Sequence, residues 1–254
     1  MNTNGNVYTV IYSTVIVVLV AAILAFAAIS LKPRQDANIK AETISQMLAA
    51  AQFYTKEELS NMGNDKVLAE YAENIEKAYI VNAEGDSVRA LSTDIKNIEL
   101  ADDLKSQNKL IKNGRNNIEL PVYVFKKDNM KVSVVPVYGA GLWGPVWGYM
   151  AFDEDMKTII GAYFDHESET PGLGAKIKDD PNFRAEFIGK IADFSSNVIF
   201  SIVKGGAAAD QSNAIDAITG ATMTSKGLGD AINTWLKSYK PFFTKMGSVE
   251  KTEE

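Results

Sequence analysis

Ten residues near the C-terminal end of the chain, DAITGATMTS from Asp216 to Ser225, place four hydroxyl side chains around one turn. A helical pattern follows, and Thr224 or Ser225 is a suitable N-cap for a helix that we expect to begin near Lys226. Such a cap accounts for one or two of the hydroxyls. It leaves Thr222 without a structural reason.

Small residues beside Thr222 leave its hydroxyl accessible. Gly220 and Ala221 remove bulk from the backbone, and the free N–H groups and dipole of a helix start attract phosphate. Lys226 adds a positive charge at the same place. The residues alone therefore leave two alternatives open: a plain helix cap, or a phosphate-bearing group held at, or bonded to, Thr222.

A glycine-rich segment, GAGLWG, has the spacing of a dinucleotide-binding loop. That loop works only where it opens a helix, whereas the residues from Pro145 onwards continue as a strand, so we expect no nucleotide site of that kind. The glycines would instead permit a tight turn and the close approach of something flat beside Trp143 and Trp147, although packing alone also explains these tryptophans. The glycines concerned are Gly139, Gly141, Gly144 and Gly148.

The loop HESETPGLG, which begins at His166, is a third candidate. Its proline and two glycines force an irregular backbone, which can present amide groups to a ligand. Glu167 and Glu169 stand near His166, but acid–base catalysis would also need a nucleophile, and none is identifiable. We therefore expect His166 to be a polar loop residue.

The composition limits the classes of function. The chain has 254 residues, 46% of them hydrophobic, which is enough to bury a sizeable core. A net charge of −6 without a long lysine or arginine block disfavours a nucleic-acid partner. The absence of cysteine excludes disulfides, thiolate catalysis, iron–sulfur ligation and cysteine zinc sites, and it leaves the redox compartment open. With a single histidine as well, we expect no resident metal.

The first 31 residues carry no charged side chain, and residues 7–31 are long and apolar enough to cross a bilayer as a helix. We expect a transmembrane anchor over residues 1–35. A cleaved signal peptide is the alternative, but its basic n-region is lacking and the apolar stretch is too long. Three cationic residues follow the span, and by the positive-inside rule alone they predict a cytoplasmic main domain. They are Lys32, Arg34 and Lys40.

The pattern after the anchor predicts an α+β domain over residues 36–246, with a largely antiparallel sheet and flanking helices. Residues 247–254 are expected to be a disordered acidic tail. The predicted strands form hairpins over 74–91 and 120–139 and continue at 146–152, 158–164 and 197–203. The predicted helices cover 32–54, the neighbourhood of 183–191 and that of 228–236.

Three separated motifs are similar to those of one family. Asp216 to Ser225 resembles the D-x-x-[ST]-G-A-T-x-[ST] flavinylation motif of FMN-binding domains. HESETPGLG, Glu169 to Gly174 in particular, resembles a loop shared by the NqrC family of sodium-translocating NADH:quinone reductases and the related G-type component of Rnf complexes. GAGLWGPVWG resembles a segment of the NqrC family and is not typical of the Rnf component. The chain is therefore identified as a member of the NqrC family, and the resemblance covers nearly its whole length.

The resemblance implies an FMN cofactor attached covalently, through its phosphate, to Thr222. Asp216 and Thr219 would serve recognition by a flavin transferase or local hydrogen bonding. The implied site also includes Gly220, Ala221 and Lys226 beside the attachment point. Glu169, Thr170, Leu173 and Gly174 would line the ring or the ribityl chain, and Leu142 and Trp143 are further pocket candidates.

The resemblance also implies an electron-carrier subunit that is not catalytic alone. The family's complex passes electrons from NADH towards ubiquinone or menaquinone and exports Na⁺, so the implied partners are its other membrane, flavin and iron–sulfur subunits. A magnesium-dependent transferase moves FMN from FAD onto the threonine, which removes any need for a base or metal in this chain. The family's flavin domain faces the periplasm from the bacterial inner membrane. We follow the family over the three cations, because insertion with partner subunits can override a few charges.

Three alternatives remain at this point. The G-type component of an Rnf ion-translocating ferredoxin:NAD oxidoreductase would carry the same flavin chemistry. A membrane-anchored sensor or binding module, or a structural anchor protein, would also have one span and an α+β domain. Both of the latter would be colourless, which separates them from a flavoprotein.

Overall fold

The computed structural model describes residues 5–101 and 103–249. The chain divides into two compact units, Met1–Glu42 and Thr43–Glu254. The predicted boundary after residue 35 stays a prediction.

The apolar N-terminal segment lies in one long helix, α1 (Asn6–Ala50). Among the described residues, α1 is the one helix whose length and composition suit a membrane crossing, with a most apolar window of mean hydropathy 2.9. The juxtamembrane helix predicted from residue 32 is present, and it is continuous with the apolar segment through Pro33. Helix-favouring neighbours on both sides outweigh the cost of one interior proline. The apolar face predicted in this part is buried, at Ile44, Met47, Leu48 and Ala51.

The predicted hairpins are confirmed and belong to a six-stranded sheet in which every neighbouring pair is antiparallel. The strand order is β2-β1-β3-β4-β5-β6. The strands are β1 (Ile75–Val81), β2 (Ser87–Leu91), β3 (Leu120–Lys127), β4 (Met130–Ala140), β5 (Pro145–Phe152) and β6 (Ile159–His166). The expected α+β class is therefore confirmed.

Both faces of the central strand β3 are buried, which explains its unbroken apolar run. Val122 and Val124 belong to the core that packs against α7 (Thr222–Val249). Phe125 points to the opposite face, where its ring packs edge-to-face against Tyr71 of α3 (Asn64–Asn74). The two ring centroids are 5.7 Å apart. The other short helices are α2 (Lys56–Asn61), α4 (Leu104–Lys112), α5 (Lys176–Asp179) and α6 (Pro181–Ala185).

Helix α7 is the element that positions the hydroxyl-rich turn. Its predicted apolar face is confirmed, since Leu228, Ala231, Ile232, Trp235 and Leu236 are all buried. Trp235 Nε1 donates to Asn108 Oδ1 of α4 at 3.2 Å, which satisfies the polar atom of this buried ring. The helix extends to residue 249, so residues 247–249 of the predicted tail are helical, and the rest of that tail lies outside the described residues.

Two elements differ from their sequence patterns. The strand predicted over 197–203 is limited to β7 (Ser201–Val203), which pairs in parallel with β8 (Ala214–Asp216). The side chain of Asn233 bonds the N–H of Ile199 at 2.8 Å and the carbonyl of Phe200, so this backbone needs no neighbouring strand. The helix predicted near 183–191 ends with α6.

The end of α6 has a local cause. Gly189 adopts a φ of +75°, which a right-handed helix cannot contain. Its N–H donates to the carbonyl of Ile159 in β6 at 2.8 Å, and Ile159 donates in turn to the carbonyl of Lys190. The segment therefore follows the edge of the sheet instead of continuing as a helix.

The glycines of GAGLWG permit close packing inside the protein. A Cβ at Gly139 would overlap that of Ala231 on α7 at 2.5 Å, and a Cβ at Gly227 would overlap the carbonyl oxygen of Ala140. Helix α7 approaches Gly139, whereas Gly141 and Gly144 are approached by the side chains of Glu169 and Ser168. The close approach of a flat group beside Trp143 stays a prediction. Strand β5 follows at Pro145, as predicted, so no helix opens after this loop.

This close approach predicts an unusual response to a helix mutation. Glycine to alanine inside a helix normally stabilises by about 1 kcal/mol, but we expect Gly227→Ala to lower the free energy of unfolding by about 1–3 kcal/mol because it overpacks the contact with Ala140. Urea unfolding measures the difference.

Gly229→Ala is the matched control, because its Cβ would lie 3.7 Å from Ile202 Cγ1, an ordinary contact distance. It is expected to leave stability unchanged or to raise it. Equal effects of the two alanines would show that the close packing of α7 does not matter.

Candidate functional site

Helix α7 begins at Thr222, four residues earlier than expected, so neither Thr224 nor Ser225 is its N-cap. The preceding turn is closed by the N–H of Ala221, which donates to the carbonyl of Ile218 at 3.0 Å. Gly220 supplies the left-handed φ of +81° that this turn requires. The carbonyl of Ala221 then accepts the first helical bond, from Ser225 N at 2.9 Å. A tight turn thus replaces the side-chain cap.

The hydroxyls of the stretch divide into two groups. Thr224 and Ser225 are buried in the first turn of α7. Thr224 Oγ1 donates to Glu169 Oε2 at 2.6 Å, and Ser225 Oγ accepts from the N–H of Ile218 at 3.0 Å. Thr219 and Thr222 are exposed. The inward hydroxyls hold the turn, and Thr222 is an exposed hydroxyl at the start of the helix.

The carboxylate of Glu169 is the point where the three sequence motifs meet. It is 4% exposed, and Oε1 accepts from the N–H of Trp143 at 2.9 Å while Oε2 accepts from Thr224. Gly141 and Gly174 lie so close that a Cβ on either would overlap a carboxylate oxygen. A buried carboxylate needs such donors to offset its lost hydration. The structure therefore brings Glu169, Gly174 and Trp143 together with the first turn of α7.

The rest of the HESETPGLG loop is fixed by short-range contacts. His166 ends β6, and its Nδ1 accepts from the N–H of Glu169 at 3.2 Å, which gives it the local polar role that was expected. Ser168 Oγ donates to the carbonyl of Trp143 at 3.0 Å. Leu173 Cδ2 lies 2.9 Å from the place of a Cβ on Gly220, so this loop also contacts the turn before α7.

Several apolar side chains near these contacts are exposed. Trp143 is 67% exposed, and Leu142, Leu173 and Met223 are exposed as well. Packing inside the protein therefore does not explain Trp143. Thr170 is also exposed, and its carbonyl accepts from the N–H groups of Leu173 and Ala175, which shapes the loop.

Asp216 has a local structural role at the end of β8. Its Oδ1 accepts from the N–H of Ala207 at 2.7 Å, and its own N–H donates to Glu186 Oε2 at 2.8 Å. Gly205 and Gly206 in the turn before Ala207 both have positive φ. Asp216 thus ties this glycine turn to the strand that leads to the hydroxyl-rich stretch.

A cleft of about 320 Å³ opens beside the first turns of α7. Thr222 and Lys226, one turn apart on the same side of the helix, both line it. None of the six residues predicted to contact the ring or the ribityl chain lines it; they are Leu142, Trp143, Glu169, Thr170, Leu173 and Gly174. The other lining residues are Val198, Phe200, Ser201, Ile202, Lys204, Ala217, Ser225, Gly229, Asp230 and Asn233. The pattern of residues 197–203 indicates a strand and gives no sign that Val198, Phe200, Ser201 and Ile202 would line a cleft.

The charges around Thr222 suit an anion. Lys226 and Lys204 line the same cleft as the Thr222 hydroxyl, opposed by the single carboxylate of Asp230 among the lining residues. The first N–H groups of an α-helix have no carbonyl partner within the helix and carry partial positive charge. These residues fit a phosphate ester at Thr222.

Comparison with known proteins agrees with this geometry. The profile of the FMN-binding domain matches residues 141–237, a range that contains all three motif loops from Gly141 onwards. The NqrC protein of the Na⁺-translocating NADH-quinone reductase of Haemophilus ducreyi is 30% identical over 244 residues, covering 91% of this chain and 92% of that protein. The corresponding protein of Vibrio vulnificus is 28% identical over 88% of this chain and 89% of its own length.

A solved structure shows the same fold. The crystal structure of NqrC from Parabacteroides distasonis superposes with a TM-score of 0.69 at 32% identity, covering 84% of this chain and 97% of that one. These relatives favour NqrC over the G-type component of Rnf complexes. Together with the exposed Thr222 at the start of α7, they place the chain in a family: it belongs to the NqrC family of Na⁺-translocating NADH-quinone reductases.

Proposed function

We propose that this protein is an electron-carrier subunit that holds one FMN covalently, through its phosphate, on the hydroxyl of Thr222. The observation that carries the proposal is the division of the hydroxyls: Thr224 and Ser225 are bonded inside the turn, whereas Thr222 is exposed as the first residue of α7. The hydroxyl of a structural cap would be hydrogen-bonded inside the turn, as those of Thr224 and Ser225 are, and the exposed hydroxyl of Thr222 is not one of these.

The attachment site would be stabilised by the local charge. A phosphate on Thr222 adds negative charge at a helix N-terminus, where free N–H groups and the dipole favour it. Lys226, one turn later on the same side, would offset part of that charge. The exposed side chains of Trp143 and Leu173 would offer apolar contact area to the cofactor's ring.

A covalent flavin suits a relay. When bound, FMN accepts and releases electrons singly, and the protein's part is to fix its position and tune its potential. In this proposal the protein passes electrons within a complex that oxidises NADH, reduces ubiquinone or menaquinone and exports Na⁺. The chain alone would not catalyse that reaction, and a separate flavin transferase would attach the FMN.

The anchor and the family support a location for the flavin domain. Helix α1 fits a single-pass anchor in the bacterial inner membrane, and we propose that the flavin domain faces the periplasm beside the other membrane, flavin and iron–sulfur subunits. A covalent link would be useful there, since a lost flavin could not easily be replaced. Reporters active on one side only, fused to the C-terminus, test this orientation, and a signal restricted to the cytoplasm would contradict it.

The attachment itself is tested by mass. The full chain is produced with a flavin transferase, its intact mass is measured and its peptides are sequenced by fragmentation. We expect an added mass of one FMN less one water, located on the peptide that contains Thr222.

Two outcomes would overturn the proposal. A bare polypeptide from the native host would support the colourless alternatives, a sensor module or a structural anchor. A modified peptide that lacks Thr222 would move the attachment to another residue.

A further inference from the structure

We infer that Glu169 is a positioning residue, which holds Thr222 in the orientation needed for flavin attachment by accepting a hydrogen bond from Thr224. The resemblance implies that Glu169 lines the cofactor, and this stays a prediction. In the structure its carboxylate is directed into the protein, where it is 4% exposed and bonded on both oxygens. This inference rests on the proposed attachment at Thr222.

The geometry of an α-helix connects Thr224 to Thr222. Residues two apart on a helix point in directions that differ by about 200°. Thr224 is 1% exposed and bonded inward, so Thr222 is directed outward, as its exposure shows. If Thr224 lost its bond, the first turn could rotate or fray, because helix ends depend on such contacts for their order.

The bond between Thr224 and Glu169 is of a strong kind. A hydroxyl that donates to a buried carboxylate makes a charge-assisted bond, and the 2.6 Å separation is in the range expected for one. The second oxygen is held by the N–H of Trp143 at 2.9 Å, so the carboxylate is fixed between two elements. Glu169 thus ties the β4–β5 turn and the β6–α5 loop to the first turn of α7.

Two glycines show that the space was made for this carboxylate. A Cβ on Gly141 would overlap Glu169 Oε1, and a Cβ on Gly174 would overlap Oε2 and lie 2.7 Å from Thr224 Oγ1. Any larger residue at either position would displace the carboxylate from Thr224 or Trp143. Neither glycine has a positive φ, so this close approach accounts for them.

The test compares Thr224→Val, which keeps the shape and removes the hydroxyl, with Thr224→Ser, which keeps the hydroxyl. Glu169→Gln removes the charge from the other partner. For each full-length protein, the rate of flavin attachment by the transferase with FAD is measured, together with amide hydrogen exchange of residues 222–226 before attachment. Bonds to charged groups correspond to about a ten- to hundredfold change in an equilibrium constant, so Thr224→Val is expected to slow attachment about tenfold or more and to raise exchange at the helix start.

The conservative variant separates positioning from loss of fold. Thr224→Ser is expected to attach flavin at nearly the wild-type rate. Glu169→Gln, whose amide oxygen can still accept a neutral hydrogen bond, is expected to slow attachment, but less than Thr224→Val. In a protein that carries both Thr224→Val and Glu169→Gln, the slowing should not exceed that of Thr224→Val alone, because both changes act on the same bond. A wild-type rate in folded Thr224→Val or Glu169→Gln would overturn the positioning role. A wild-type chain that takes up no flavin would instead overturn the proposed function.

Discussion

Thr222→Ala is expected to abolish the covalent flavin completely. Wild-type protein made with a flavin transferase should give a fluorescent band on a denaturing gel, since a phosphoester survives unfolding, and the variant should give none. Thr222 is exposed and makes no inward hydrogen bond among those that hold the turn, so its replacement should leave folding intact. Thermal unfolding of the unmodified proteins checks this.

Two variants control the Thr222 experiment. Thr222→Ser keeps a hydroxyl at the start of α7 and is expected to retain the band. Thr244→Ala removes another exposed threonine from the same helix, whose hydroxyl bonds only to the carbonyl of Lys240 at 2.8 Å, and is expected to leave the band unchanged. A band that persists in Thr222→Ala would indicate that the flavin is attached to Thr219, because the hydroxyl of Thr224 is buried and hydrogen-bonded to Glu169.

Elements with a strong periodic pattern could be predicted from the sequence. The hairpin of β3 and β4 turns at Asp128, whose φ of 54° is the left-handed value that such turns require, and the alternation on both sides of it specifies the register. The apolar face of α7 was equally clear, since five residues at helical spacing are buried around Trp235. In these elements local preference and tertiary packing agree.

Contacts between distant motifs could not be predicted in this way. Glu169 and Thr224 are 55 residues apart, and nothing in either local pattern specifies a bond between them. The side chain of Asn233, 34 residues away in sequence, accepts the hydrogen bond from the N–H of Ile199 that a neighbouring strand would otherwise accept. The strand in this segment is therefore shorter than its sequence pattern predicts. The start of α7 was misplaced because a backbone turn around Gly220, and not a side-chain cap, precedes it.

The site residues form the end of a longer hydrogen-bonded series. Gln46, in the last part of α1, donates to Asp165 Oδ2 at 3.1 Å, and the N–H of His166 donates to Asp165 Oδ1 at 2.7 Å. His166 Nδ1 accepts from the backbone N–H of Glu169, and the side-chain carboxylate of Glu169 accepts from the hydroxyl of Thr224. The buried carboxylate of Asp165 therefore helps to hold the loop that carries Glu169. Loss of its cationic partner is expected to destabilise this part of the protein.

Lys178→Met is expected to lower the free energy of unfolding by about 2–3 kcal/mol, because it removes the cationic partner of the buried Asp165 carboxylate. The Lys178 side chain is itself 29% exposed, so the loss is smaller than for a fully buried pair. Lys178 Nζ lies 2.8 Å from Asp165 Oδ2, and the Asp165 side chain is only 4% exposed. The remaining donors, Gln46 and the N–H of His166, are neutral. Urea unfolding of the full chain in detergent measures the loss.

A second variant identifies the cause of that loss. Adding Asp165→Asn to Lys178→Met removes the stranded charge, and an asparagine can still accept from the N–H of His166, so the double variant is expected to be more stable than Lys178→Met alone. Lys176→Met, the same change two residues earlier in α5, is expected to cost less than about 1 kcal/mol. If the double variant were no more stable than the single one, the destabilisation would come from lost packing of the lysine chain, and the charge of Asp165 would not be what Lys178 compensates.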